Sequence, residues 1–145
     1  MDAEVTGRIV VGVDGSEASD RALWWAAEES RLRRLPLLAV TCWTFPALVS
    51  PVPFQPPISA EVIAGEAQAV LKAAVERVLG RDADTLDWEG EVVEGAPSLR
   101  LLELSKDAAM VVVGSRGRGG FTGLLLGSVS QHLAEHASCP VMVLR

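Results

Sequence analysis

Two stretches of this 145-residue chain concentrate residue types that can do chemistry. Residues 12–16, GVDGS, put a carboxylate (Asp14) and a hydroxyl (Ser16) beside two glycines at the end of a β-branched apolar run. Residues 114–128, GSRGRGGFTGLLLGS, hold six glycines, two arginines and three hydroxyls. Glycine inside a folded chain costs about 0.5–1 kcal/mol relative to alanine, so six together ask for a reason. Unshielded backbone N–H groups, hydroxyls and guanidinium charge suit a phosphate. Gly127 and Ser128 stand where a helix should begin, and a helix start offers unpaired N–H groups and positive dipole to an anion. The same composition also serves simply to turn the chain, and Asp14 or Ser16 equally suits a cap for the following helix. Composition alone admits both readings.

Other chemistries fit these residues poorly. The P-loop pattern G-x-x-x-x-G-K-[ST] is absent, because no lysine lies in 114–128. The dinucleotide pattern G-x-G-x-x-G is absent after the first strand, which reads GVDGSEAS. His132 and His136 have the i, i+4 spacing of paired zinc ligands, but no cysteine or carboxylate partner is evident. They read as solvent-facing histidines near a helix end. Arg31, Arg33 and Arg34 likewise end a helix, where cations are ordinarily favoured. No Ser-His-Asp or Cys-His constellation appears, so no catalytic residue is assigned.

The elements that must position the two stretches alternate in type. RIVVGV (8–13) and PLLAVTCW (36–43) read as buried strands, LDWEGEVV (86–93) as a more polar one, AAMVVVGS (108–115) as a fourth and CPVMVLR as a fifth. Between them lie an alanine-rich helix from Glu17, a helix over 59–79, a short one over 97–106 and a last one over 128–137. In the second helix Ala67, Val70, Leu71, Ala74, Val75, Val78 and Leu79 form one apolar stripe. Residues 44–57 carry five prolines and read as an irregular loop. Alternation of this kind predicts an α/β fold with a parallel sheet covered on both faces.

The net charge of -6 argues against general nucleic-acid binding, which needs a basic face. The two cysteines, Cys42 and Cys139, read as small apolar fillers near strand ends rather than a disulfide. No apolar run approaches the roughly 18 residues that span a bilayer, and the acidic start MDAEVTGRIVV does not resemble a signal peptide. A cytoplasmic protein with no membrane partner is the expectation.

The spacing Gly114-x-x-Gly117, nine residues, Gly127-Ser128 resembles the G-x2-G-x9-G-[ST] signature of the universal stress protein family. GVDGS, VVEGAP (92–97) and the terminal PVMVLR resemble that family too, so the likeness covers nearly the whole chain. It implies one Rossmann-like nucleotide-binding domain over 1–145, with an open five-stranded sheet in the order 3-2-1-4-5 and about four helices. Strands 1 and 4 are then central neighbours, and their ends meet at the switch point where open α/β sheets bind ligands.

The resemblance further implies a binding site for ATP. Asp14 would sit by the ribose and phosphates, in a loop that also brings Gly12, Val13 and Ser16. Val40 would pack along the adenine and Gly95 would lie near the ribose. Gly114, Gly117, Gly127 and Ser128 would line the triphosphate, with Ser115, Arg116, Arg118, Gly119 and Gly120 completing the cradle and Val129 following at the helix start. Arg116 and Arg118 match less sharply and equally suit solvent. A Mg²⁺ ion is implied between Asp14 and the phosphates. The function implied is a nucleotide-dependent switch in stress response, with little hydrolysis and an unidentified regulatory protein partner. A slow Mg-dependent ATPase, a cyclic-AMP binder and a nucleotide-free dimeric scaffold are the alternatives. Strand 3 carries Asp87, Glu89 and Glu91, which discourage edge pairing, whereas the last strand is apolar. A homodimer through 140–145 is therefore expected, as the family resemblance also implies.

Overall fold

A computed structural model describes residues 6–46, 58–117 and 126–145. The chain runs β1 (Arg8–Gly12), α1 (Glu17–Arg33), β2 (Leu37–Trp43), α2 (Ala60–Val78), a 3-10 helix (Gly80–Thr85), β3 (Trp88–Glu94), α3 (Pro97–Leu104), β4 (Ala108–Gly114), α4 (Ser128–His136) and β5 (Val141–Leu144). The five strands form one sheet in the order β3-β2-β1-β4-β5, and every pairing is parallel. The proline-rich loop expected over 44–57 lies outside the described residues from 47 on.

Strand alternation divides the core. Ile9 and Val11 face α1 and α2 with Leu37, Ala39 and Leu71, whereas Val10, Leu38 and Val40 face α3 and α4 with Leu101 and Leu133. These residues are almost wholly buried, and each large aliphatic side chain so placed contributes about 1.5–3 kcal/mol. Of the stripe on α2, Ala67, Leu71, Ala74, Val75 and Leu79 are buried, while Val70 and Val78 are half-buried.

Helix starts follow the expected capping chemistry at two places. The Ser16 hydroxyl accepts from Ser19 N at 3.2 Å, and the Ser59 hydroxyl from Val62 N at 3.3 Å. At the other end of α1, Arg31 and Arg33 pair with Glu28 and with Glu29 (2.7 Å), and Arg34 takes a left-handed cap at φ 56°. The arginine run is thus spent largely on its own helix.

Three features depart from the sequence reading. The 3-10 helix was not anticipated, because GRDADT carries no apolar period; it lets β3 begin at Trp88 rather than Leu86. A register shift lies opposite Arg8 and Ile9, which pair with Ala108 and Met110. His136 is exposed as expected, but His132 is half-buried and its Nε2 is buried with no hydrogen-bond partner among the described residues. α4 packs against α3 rather than standing clear of it. Both cysteines are free thiols near strand ends. Among the described residues no helix is long and apolar enough to cross a membrane.

Candidate functional site

The loop after β1 is a small hydrogen-bonded unit. Val13 N donates to Val40 O at 2.8 Å and the Thr41 hydroxyl donates to Val13 O at 2.9 Å, which anchors the strand end to β2. Asp14 Oδ1 then accepts from Ser16 N at 2.9 Å, a turn that aspartate forms readily. Gly15 supplies the positive φ, 82°, that this turn requires. The Ser19 hydroxyl accepts from Asp14 N at 3.3 Å and donates to Ser16 O at 3.1 Å. Asp14 is therefore held in orientation, and Ser16 is the cap of α1.

The loop after β4 is stapled at its two ends. Ser115 N donates to Leu144 O at 2.6 Å, and Ser115 O accepts from Gly127 N at 2.5 Å and from the Ser130 hydroxyl at 3.0 Å. These bonds bring Ser115 to the start of α4, whose N-cap is Gly127 with no side-chain cap. The first N–H groups of α4 are thus left for another acceptor.

The glycines of this stretch have internal reasons as well. A β-carbon on Gly114 would lie 2.7 Å from Ala18 Cβ, 2.8 Å from Ala18 C and 3.0 Å from Ser19 N. Backbone cannot yield there, so Gly114 is required by the passage of α1 over β4.

Together the two loops border a cleft of about 760 Å³ at the carboxyl ends of β1 and β4. Gly12, Val13, Asp14, Val40, Gly114, Arg116, Gly117, Gly127, Ser128 and Val129 line it. Cys42, Thr44, Pro97, Leu101, Ser130 and Gln131 line it too, and sequence reasoning did not assign these to the site. Leu101 and Pro97 looked like ordinary helix residues; only the placement of α3 beside β1 and β2 brings them here. Asp14 is the sole carboxylate lining the cleft among the described residues. Burial pushes the Cys42 thiol up to about 11, with Arg100 opposing and Glu91 assisting. It is therefore protonated at neutral pH.

Ser16 and Ser115 fall outside this cleft and line a smaller cavity with Arg116 and Gly117. Gly95 lines neither. Its N donates to Trp43 O at 2.8 Å, its φ is 135°, and the Arg100 side chain covers the space a β-carbon would take. Arg118, Gly119 and Gly120 lie outside the described residues. No cluster of three or more metal-ligating side chains occurs among the described residues.

The cleft pairs an apolar wall with a helix start that lacks a capping side chain. Val40, Leu101, Val113 and Val129 suit a flat apolar group, and the loop beside Gly127 suits an anion.

The sequence model of the universal stress protein family matches residues 6–145. A universal stress protein of Mycobacterium tuberculosis is 35% identical over 145 residues, covering 94% of this chain and 44% of the relative. The chain thus spans less than half the length of that curated relative. Among solved structures, a universal stress protein in complex with cAMP is 27% identical with a TM-score of 0.69, covering 96% of this chain and 97% of that one. A universal stress protein from Archaeoglobus fulgidus in complex with dAMP is 26% identical with a TM-score of 0.66, covering 97% and 99%.

Proposed function

This chain belongs to the universal stress protein family, and from that premise we propose that it binds an adenine nucleotide between the ends of β1 and β4 and acts as a nucleotide-dependent regulatory protein. The observation that carries the reading is the pairing of the apolar wall, Val40, Leu101, Val113 and Val129, with the uncapped start of α4. A purine suits the first and phosphates the second. The cAMP complex and the A. fulgidus dAMP complex support an adenine nucleotide here as well.

The proposed physiological ligand is ATP, its phosphates along Gly114, Gly117, Gly127 and Ser128. Arg116, at the rim, adds charge. Asp14 fits a role in holding Mg²⁺, because Mg²⁺ commonly takes one or two carboxylates plus substrate phosphates. Its orientation by Ser16 N serves that role. The ion would neutralise charge that carboxylate and phosphates otherwise place at close range. Hydrolysis is slow or absent on this reading, since Asp14 is engaged and the Cys42 thiol is protonated. The working unit is one nucleotide-binding domain over 1–145, paired as a homodimer through β5, in the cytoplasm, with its ligand state read by a partner protein.

Mass spectrometry of small molecules released from the purified protein, followed by calorimetry with ATP, AMP and cyclic AMP, tests this. ATP should bind with micromolar affinity, about −8 kcal/mol. Tighter binding of cyclic AMP would reassign the ligand, and no binding of any nucleotide would favour a dimeric scaffold.

A further inference from the structure

β3 is an edge of the sheet and pairs only with β2 among the described residues, in unbroken register from Trp88 to Glu94. Leu37 N donates to Asp87 O at 2.9 Å and Gly95 N donates to Trp43 O at 2.8 Å, so residues 87 and 95 turn these main-chain groups toward β2. Main-chain direction alternates along a strand, which leaves the N–H and C=O groups of Trp88, Gly90 and Val92 facing away from the sheet.

The two faces of this edge differ in chemistry. Trp88 and Val92 pack on the α2 side and Val93 on the α3 side, so Gly90 faces α2 while Glu89 and Glu91 face α3. On the α2 side a cavity of about 590 Å³ adjoins Gly90, walled by Leu71, Val75, Ala83 and Trp88. The missing side chain keeps it open: a β-carbon on Gly90 would lie 3.0 Å from Leu71 Cδ2 and 3.3 Å from the Trp88 ring. Lys72, Glu76 and Arg81 also line it, and two cations against one carboxylate discourage a basic side chain there. On the α3 side the balance reverses. Glu89 and Glu91 are exposed and close no ion pair among the described residues, and exposed Asp87 and Glu94 flank them. Arg100, on α3, is already paired with Glu103 at 2.8 Å.

We propose that β3 is a docking edge for an extended segment of a partner protein in which basic and apolar residues alternate. The main chain of that segment bonds the outward groups of Trp88, Gly90 and Val92. Its basic side chains lie beside Glu89 and Glu91, and the apolar one between them, on the opposite face, enters the cavity at Gly90. The carboxylates that repel a second β3 attract such a segment. The inference stands apart from the nucleotide cleft and from the β5 edge, and holds whether or not either is occupied.

Calorimetry and amide hydrogen exchange on the full chain, with a synthetic peptide of alternating lysine and valine at low ionic strength, test it. The peptide should bind and slow exchange at the Trp88, Gly90 and Val92 amides. An isomer with its lysines and valines in two separate blocks should bind more weakly. Glu89→Gln combined with Glu91→Gln should weaken binding about three- to tenfold, the range for two exposed ion pairs. Glu28→Gln combined with Glu135→Gln, an equal change of charge away from β3, should leave it unchanged. Melting temperatures report whether each variant is folded, and added salt should weaken binding to the unaltered chain in the same direction. No binding, equal affinity for the two peptides, equal losses in the two variants, or slowed exchange at Val141–Leu144 in place of β3 overturns the proposal. Protection of the β3 amides that rises with protein concentration alone overturns it too, and assigns the edge to a second copy of this chain.

Discussion

Asp14 Oδ2 stands 2.7 Å from the point at which a β-carbon on Gly117 would sit. The other oxygen, Oδ1, is held by Ser16 N at 2.9 Å, so the carboxylate cannot swing aside without breaking its turn. A side chain at residue 117 would therefore have to displace the Asp14 carboxylate, and the two loops of the cleft meet at this point.

Gly117→Ala should therefore weaken ATP binding by displacing Asp14, and Gly117→Glu should abolish it by adding charge as well. In an Asp14→Ala background the alanine should have little further effect, because its steric partner is gone. A double-mutant cycle by calorimetry reads this coupling. Strictly additive losses would rule it out.

Asp14→Ala should weaken nucleotide binding more with Mg²⁺ present than with EDTA. The substitution removes both the orienting turn to Ser16 N and the carboxylate proposed to hold the ion. Equal losses under the two conditions would remove Asp14 from any metal role.

Gly114→Ala should destabilise the fold by about 1–3 kcal/mol, the usual range for overpacking. Its β-carbon would press on Ala18 and on the backbone at Ser19. Urea denaturation without ligand measures it. A neutral result would mean that α1 can move away from β4.

Cys42 titrates upward to about 11 because burial disfavours its thiolate. Alkylation at pH 7.5 should be slow and should rise as pH climbs toward that value, with bound nucleotide shielding the thiol in the cleft. The sign of the stability effect follows. The unfolded thiol ionises near its ordinary value of 9.0, so Cys42 stabilises the fold below that pH and the contribution is lost between there and about 11. Fast alkylation at neutral pH, unaffected by nucleotide, would contradict the placement.

The parent should run at twice the chain mass in light scattering at micromolar concentration. β5 is one edge of the sheet, and β3, the other edge, presents exposed Glu89 and Glu91. Val141→Glu with Val143→Glu should give monomer or aggregate, with circular dichroism separating lost pairing from lost fold, since both valines also pack against the α4 side. A monomeric parent would defeat the dimer.

The order and type of the elements were legible in the sequence, because each rests on local periodicity: β-branched runs for strands, an apolar stripe for α2, a serine ahead of α1. The candidate loops were legible too, since glycine clusters and Asp14 stand out from their surroundings. The 3-10 helix escaped because its six residues bury only Ala83 and leave no periodic signal. His132 was misplaced because helical spacing states which residues share a face, not which neighbour meets that face.

What the sequence by itself determined is a set of preferences that act within a few residues: helix, strand, turn and cap. Strand order is different, since β1 carries the same local pattern whichever strands flank it, and here only the family signature supplied the order. Tertiary structure alone decided that Gly114 must be bare because α1 crosses it, that the Asp14 carboxylate stands beside Gly117, and that Arg100 covers Gly95. It also gathered Cys42 and Leu101 to one cleft and Arg21 and Arg145 to another. The physical reason is that excluded volume and charge act through space, between residues whose separation along the chain leaves no trace in either local sequence.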